Sequence, residues 1–192
     1  MNAALQDKDA TGRANGTDAA VDYDPFADGP LSRVAPTTEP QREVWLADRL
    51  GEDASLAYNE SISLDFRGAL DAAALREALR GLVARHDILR ANFGPDGRTL
   101  CVNDPSDESR AIELPLIDLS SLDEGERLAR VNAHAREVVE TPFDLDHGAL
   151  FRADLLRLSN DHHHLVLTAH HIVCDGWSWW VIVRELGTLY SQ

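Results

Sequence analysis

Two apolar stretches joined by a short polar turn constrain the fold of this chain more than any other feature. They are "ALFRADLLRL" at 149–158 and "HHLVLTAHH" at 163–171, with "SND" between them. Runs of this length, bounded by turn residues, are typical of β-strands. The sequence therefore predicts two paired strands around that turn. The apolar residues that follow at helical spacing predict a last helix that begins at Gly176.

Three further elements are predicted in the first half of the chain. A helix is expected over 37–50, with Thr38 as its candidate cap. "SISLDF" (61–66) alternates apolar and polar residues, which is typical of a half-buried strand. A second helix is expected over 71–85, because its leucines and valine lie on one face at helical spacing.

The middle of the chain predicts a second pair of strands and another helix. "ILRANF" (88–93) and "RTLCV" (98–102) stand on either side of the turn "GPDG". Ser121 and Glu124 fit a capping box at the start of a helix that ends near Thr141. The buried stripe of this helix is predicted to consist of Leu128, Val131, Ala135, Val138 and Val139.

This mixed order of strands and helices predicts an α/β fold, a two-layer sandwich with a mixed sheet. Residues 1–30 are small, polar and acidic and show no hydrophobic period. They are therefore predicted to be a disordered tail or linker, followed by one domain over 31–192.

Composition narrows the classes of partner. The formal net charge is -15, and this acidity argues against nucleic acid, whose phosphates would be repelled. No stretch approaches the roughly 18 apolar residues that a membrane helix needs, so no membrane partner is expected. The two cysteines form no disulfide framework, which favours a cytoplasmic protein.

Adjacent histidines end the second apolar stretch, in "LTAHHIVCDGWSWW" (167–180). Side chains alternate across a strand, so His170 and His171 point in opposite directions and cannot share a role. An imidazole at a strand end stands on a rigid support and exchanges protons near neutral pH. Asp175 would orient an imidazole or pair with an arginine, and Gly176 permits a tight turn before the helix.

The residues alone leave other roles open. A histidine at a strand end is more often structural than catalytic. A metal site would draw on His162, His163 and His164, but adjacent strand histidines diverge and no second cluster supplies Cys or Glu at ligand spacing. Ser178 as a nucleophile lacks the second glycine of a nucleophile elbow. The residues alone therefore indicate no more than an acyl transferase or hydrolase site.

Several motifs resemble one family in order and spacing. "HHIVCDG" (170–176) resembles the HHxxxDG motif of nonribosomal peptide synthetase condensation domains. "TEPQREVWLADRL" is similar to the first core motif, with Gln41, Arg42 and Trp45 in register. "RHDILRANF" resembles the second core motif, and "PFDLDHGALFRADLLRL" resembles the stretch before the histidines. Together these similarities cover nearly all of 31–192.

The resemblance implies a fold like that of chloramphenicol acetyltransferase. Family members contain two such lobes, and this sequence resembles the N-terminal lobe only, because the later core motifs are absent. The reaction tunnel of the family lies between the lobes. The resemblance therefore implies that the chain holds the principal histidine, while the absent C-terminal lobe would complete the active site.

The family's reaction joins an acyl or peptidyl thioester on one carrier protein to the amine of an aminoacyl thioester on another. By resemblance, His171 is the catalytic residue, which takes a proton from the amine or positions it. His170 is a supporting, structural residue.

The resemblance assigns structural roles to the rest of the motif. Asp175 would form an ion pair with an arginine of the second core motif, with Arg90 as the first candidate and Arg85 as the alternative. Gly176 and the start of the helix would present backbone N–H groups toward the reaction centre.

No metal and no bound cofactor are expected, since the substrates arrive on the 4'-phosphopantetheine arms of carrier proteins. The implied partners are the donor and acceptor carriers and the C-terminal lobe, with an upstream synthetase protein as a further candidate. Rival functions are an epimerization domain, a related acyltransferase, and a non-catalytic fragment that binds a carrier or docks another synthetase.

Overall fold

The structure is a computed structural model that describes residues 30–192, so the predicted tail lies outside it except for its last residue. The strands are β1 (Leu31–Pro36), β2 (Asn59–Arg67), β3 (Ala91–Phe93), β4 (Thr99–Asn103), β5 (Leu116–Asp118), β6 (Phe151–Ser159) and β7 (His162–His170). The helices are α1 (Glu39–Asp48), α2 (Glu52–Leu56), α3 (Ala72–Arg85), α4 (Glu124–Val139) and α5 (Gly176–Tyr190). Within this described part of the chain, none of the helices combines the length and the hydropathy that a membrane-spanning segment requires.

The predicted pair of apolar strands forms the centre of a four-stranded sheet, ordered β2-β7-β6-β5. β6 and β7 pair antiparallel, with Leu155 opposite Leu165. β2 pairs antiparallel with the other edge of β7, so β7 is bonded on both sides. β5 runs parallel to β6, and the predicted mixed sheet of an α/β fold is confirmed.

A second sheet has three strands in the order β1-β4-β3. The predicted strand 88–93 is too long, because Asp87–Arg90 is a 3-10 helix and only Ala91–Phe93 is strand. The Arg90 guanidinium explains the difference: it donates to the backbone carbonyls of Val83 and Ala84, each at 2.6 Å, and so holds this segment against the end of α3.

Helices cover both faces of the four-stranded sheet. Buried residues of α3 and α5 belong to the same apolar cluster as Leu165 and Leu167 of β7. α4 packs its Val131 and Val138 on the opposite face, against a smaller cluster around Val166. The alternation of β7 between these two faces matters for the site, because it separates consecutive side chains at the strand end.

The predicted helix at α4 is present, but its start and its stripe differ from expectation. Asp123, not Ser121, is the N-cap, and its carboxylate accepts from the Glu126 N–H at 2.8 Å. A carboxylate is favoured there because the helix N-terminus carries partial positive charge. Leu128, predicted to be buried, is 62% exposed.

The three-stranded sheet and α1 meet at a glycine. Thr38 caps α1 as predicted, in a capping box with Gln41. Gly97, in the turn between β3 and β4, has a φ of +65°, and a Cβ built there would lie 2.5 Å from the Trp45 ring. The turn can therefore approach α1 only because residue 97 has no side chain.

We expect Gly97→Ala to lower the free energy of unfolding by at least about 2 kcal/mol, through left-handed backbone strain and displacement of the indole. Urea unfolding followed by tryptophan fluorescence measures this loss. In a Trp45→Ala background the same substitution should cost only about 1 kcal/mol, since the backbone strain remains but the clash with the indole is gone. Equal costs in both backgrounds would contradict the packing account.

Candidate active site

The end of β7 places two consecutive imidazoles in opposite environments. The His170 side chain is 0% exposed and the His171 side chain is 40% exposed. The backbone N–H of His170 donates to Leu150 at 3.1 Å, and that of His171 donates to Tyr58 at 2.8 Å. The backbone of both residues is therefore held by hydrogen bonds to neighbouring segments. The difference in exposure confirms the predicted divergence of the two side chains.

His170 occupies a closed pocket beneath α1. Its Nδ1 accepts from the Ile172 N–H at 3.2 Å, and its Nε2 lies 3.4 Å from Asp48 Oδ1. That distance allows electrostatic attraction but is too long for a well-formed hydrogen bond. The rings of Tyr58 and Phe143 lie 5.9 and 6.1 Å from the imidazole centroid. Burial lowers the pKa of His170, and the attraction to Asp48 offsets this only in part.

Because the pKa of His170 is lower in the folded chain than its ordinary value of about 6.5, the unfolded chain binds the proton more readily. The stability of the fold is therefore retained above that value and is lost as the pH falls below it. We therefore expect the free energy of unfolding to fall as the pH is lowered from about 7 to about 5. His170→Gln keeps a donor for Asp48 and removes the titration. It should flatten this slope by up to about 1.4 kcal/mol per pH unit.

Urea unfolding at a series of pH values measures both slopes. His163, whose pKa burial also lowers, should leave a residual dependence in the variant. Slopes that are identical in the wild type and in His170→Gln would show that His170 does not titrate as described.

His171 points out of the opposite side of the strand and contacts a carboxylate. Its Nδ1 lies 2.9 Å from Glu60 Oε1. The second oxygen of that carboxylate, Oε2, accepts a hydrogen bond from Trp179 Nε1 at 3.1 Å. The Tyr58 ring stacks over the imidazole with an interplanar angle of 25°. Within residues 30–192, Nε2 of His171 has no hydrogen-bond or ion-pair partner.

Strand pairing explains how Glu60 reaches His171. Glu60 lies opposite Ala169 in the β2–β7 register, on the face that also carries Ile62 and Leu64. His171 follows the last residue of β7 and continues the same face two positions after Ala169, and long side chains reach such diagonal neighbours. Sequence reasoning missed Glu60 because the predicted strand began at Ser61. The sequence did contain a signal: Glu60 extends the alternation of Ile62 and Leu64 by one more position on the same face.

Asp48 was also missed by sequence reasoning. It lies within the predicted first helix and is 8% exposed, although acidic residues are rarely buried without a partner. Nothing in the helical pattern marks it as different from exposed acidic residues nearby. Its role becomes visible only when β7 brings His170 against α1.

Asp175 does not form the ion pair that the family resemblance implied. Its Oδ1 accepts from the Ser178 N–H at 2.8 Å and from the Ser178 hydroxyl at 2.7 Å, so it caps α5. The Ser178 hydroxyl, helped by the backbone N–H, holds the pKa of Asp175 below its ordinary value. The predicted partners are engaged elsewhere: Arg90 with Asp87 at 2.8 Å, and Arg85 with Glu185 at 3.3 Å.

Gly176 is the first residue of α5. A turn precedes the helix at residues 171–173, but Gly176 itself does not adopt a positive φ, so the turn does not use the freedom of glycine. A Cβ built at this position meets nothing within 4 Å. Neither backbone strain nor close packing within the described chain requires glycine, and the proposed use of its N–H toward a substrate stays a prediction.

Cys174 lies between the histidines and Asp175 but is not a nucleophile. It is 2% exposed, and burial, reinforced by the nearby carboxylates of Glu60 and Asp175, raises the pKa of its thiol to about 12. The thiolate is the reactive form of cysteine, so this side chain is inert near neutral pH.

We expect Cys174 in the native protein to resist alkylation by iodoacetamide at about pH 8 and to react fully after unfolding in urea. Peptide mass spectrometry measures the modified fraction. Rapid stoichiometric labelling of Cys174 in the folded chain would contradict its burial and its raised pKa.

Of two cavities in the described chain, one includes residues of the histidine motif and the other does not. One, of about 400 Å³, is bordered by the start of α5 and by the 3-10 helix after α3, and Asp175 and Trp177 line it. The other, of about 790 Å³, lies between α3 and the second sheet, and Asn92 and Asn103 line it. The His171 side chain lines neither of these two cavities and is 40% exposed.

Sequence comparison identifies the family. The Condensation domain model matches residues 32–192. Chondramide synthase cmdD of Chondromyces crocatus is 40% identical over 164 residues, covering 84% of this chain and 4% of the relative. Phosphinothricin tripeptide synthetase PhsC of Streptomyces viridochromogenes is 36% identical over 179 residues, covering 92% of this chain and 16% of the relative.

Solved structures share the fold. The starter condensation domain of rhizomide synthetase RzmA matches with a TM-score of 0.73 and 27% identity, covering 83% of this chain and 38% of that one. A chain in the complex of the X-domain and OxyB from teicoplanin biosynthesis matches with a TM-score of 0.69 and 32% identity, covering 81% of this chain and 32% of that one.

The fold, the paired histidines and these matches define a member of the chloramphenicol acetyltransferase-like superfamily. This chain belongs to the condensation-domain family. It spans less than half of the condensation-domain structure that it matches, and less than a fifth of either synthetase relative.

Proposed function

We propose that this chain is the N-terminal lobe of a condensation domain that forms amide bonds in nonribosomal or hybrid polyketide–peptide synthesis. The observation that carries the proposal is the placement of His171. It is a half-exposed imidazole at the end of a doubly bonded strand, with a carboxylate on Nδ1 and with Nε2 lacking a protein partner in the described chain. Membership of the condensation-domain family supplies the reaction class.

The proposed reaction needs a proton acceptor beside the attacking amine. A free α-amino group has a pKa near 8, so much of it is protonated at neutral pH. The neutral amine attacks the thioester carbonyl carbon, a C–N bond forms, and the C–S bond breaks with release of the thiolate. The nitrogen must lose one proton in this sequence, and Nε2 of His171 accepts or positions it. That proton then returns to the departing sulfur or to solvent.

The substrates of this reaction are proposed to arrive on carrier proteins. One of the two relatives is a tripeptide synthetase, and the chain would receive a donor thioester and an acceptor aminoacyl thioester on phosphopantetheine arms. Donor and acceptor carriers are therefore the proposed partners. The exposed position of His171 suits substrates delivered from outside on a flexible arm.

A second lobe is proposed to cover the site. The chain matches 38% of the RzmA starter condensation domain, and the remainder of that domain has no counterpart in the matched region. Two large side chains at the start of α5 are exposed, Trp177 by 80% and Trp180 by 57%. Exposed apolar groups of this size are typical of surfaces that another element contacts.

The matched test is His171→Ala in the synthetase module that contains this lobe, with both carriers loaded. Loss of the proton acceptor should lower the rate of amide formation by about 10²–10⁴. Circular dichroism should show an unchanged fold, because the side chain lies on the surface. Mass spectrometry of carrier-bound product measures the rate. His147→Ala, which changes another exposed histidine, serves as the control and should have no effect.

Equal rates in the wild type and in His171→Ala would remove His171 from the reaction. Exchange of the substrate α-proton in deuterated water, without amide product, would indicate epimerization instead. Carrier binding with neither reaction would favour a non-catalytic lobe. The similar chain from the X-domain–OxyB complex comes from an assembly of two proteins, and this favours binding of another protein as the second candidate.

A further inference from the structure

The Glu60 carboxylate is held at both ends. One oxygen faces Nδ1 of His171 at 2.9 Å, and the other accepts from the indole N–H of Trp179 at 3.1 Å. Trp179 is 8% exposed and packs against Phe151 with ring centroids 6.3 Å apart. The indole is therefore a fixed donor, and it fixes the carboxylate that contacts the imidazole.

This contact decides which nitrogen of neutral His171 carries hydrogen. A neutral imidazole has one N–H nitrogen and one lone-pair nitrogen, and a carboxylate offers only lone pairs. A lone pair on Nδ1 facing an oxygen at 2.9 Å would be repelled, whereas an N–H there is attracted. The hydrogen therefore resides on Nδ1, and the lone pair resides on Nε2.

We propose that Glu60, anchored by Trp179, is the positioning residue that keeps Nε2 of His171 available as a proton acceptor. The proposal rests on the proposed function of His171 for its catalytic meaning. The tautomer of His171, by contrast, is inferred only from the contacts of Glu60 with His171 and Trp179. Without Glu60 both tautomers are accessible, and the fraction with hydrogen on Nε2 cannot accept the amine proton.

Glu60→Gln tests this proposal directly, because the Trp179 indole determines the orientation of the new amide. The indole N–H is only a donor, so it selects the amide oxygen of Gln as its partner. The amide NH₂ then faces His171 and donates to Nδ1. The variant should invert the tautomer, with hydrogen on Nε2. In Ser–His–Asp triads the corresponding exchange of carboxylate for amide costs about 10⁴ in kcat through the wrong tautomer.

The double variant Glu60→Gln with Trp179→Phe is the matched control. Phe keeps the apolar packing and removes the indole donor, so the amide can rotate and present its oxygen to Nδ1. Because the amide can then present either its oxygen or its NH₂, both tautomers become accessible and a fraction with hydrogen on Nδ1 should return. A second substitution in a merely structural pair would add damage, whereas here it should partly restore the wild-type tautomer of His171.

Long-range ¹H–¹⁵N correlation spectra of this chain, recorded at about pH 8.5, report the tautomer of each neutral histidine. We expect Nδ1–H at His171 in the wild type, Nε2–H in Glu60→Gln, and a mixture of the two tautomers in the double variant. His86, whose Nε2 contacts Glu185 at 2.8 Å, is an internal reference that should not change. A wild-type His171 with hydrogen on Nε2, or no change in Glu60→Gln, overturns the proposal.

Kinetics of the full module separate this proposal from the proposed function. Glu60→Gln should lower kcat at least about tenfold with little change in KM, and the double variant should recover part of that loss. Loss of activity in His171→Ala together with wild-type kcat in Glu60→Gln leaves the function in place and overturns the role of Glu60. The expected tautomers without any effect of His171→Ala would reject the function instead.

Discussion

The antiparallel pairing of β2 with β7 is the constraint on which the site depends. It fixes Glu60 opposite Ala169, one position along the same face from His171, and the N–H of His171 donates to the carbonyl of Tyr58 just beyond the paired region. A shift of register by one residue would move Glu60 to the other face, away from the exposed imidazole. The apolar side chains around β7 therefore position the polar pair at its end as well as stabilising the sheet.

Two neighbouring histidines have different properties because the strand places them on different sides. His170 is enclosed, is held neutral by burial, and joins the sheet to α1 through Asp48. His171 is half exposed and faces a carboxylate that is itself fixed by an indole. One motif thus supplies a buried structural histidine, His170, and an exposed candidate catalytic histidine, His171.

Sequence reasoning succeeded where periodicity was strong. The β6–β7 pair, α3 and α5 were predicted because their apolar residues recur regularly, and the divergence of the histidines follows from strand geometry. It failed where a partner was far away in sequence. The resemblance supplied residue types for Asp175 and Arg90, but the actual partners are Ser178 and Asp87, each three residues away. Glu60 was missed because its contact with His171 depends on pairing with a strand about a hundred residues later in the sequence.

The most direct measurement is a crystal structure of the two-lobe domain with an acceptor aminoacyl group held on phosphopantetheine through a stable amide. The account predicts that the acceptor nitrogen lies about 2.6–3.2 Å from Nε2 of His171, while Glu60 still contacts Nδ1. An amine bound beyond the reach of that nitrogen, with another titratable side chain beside it, would contradict the account.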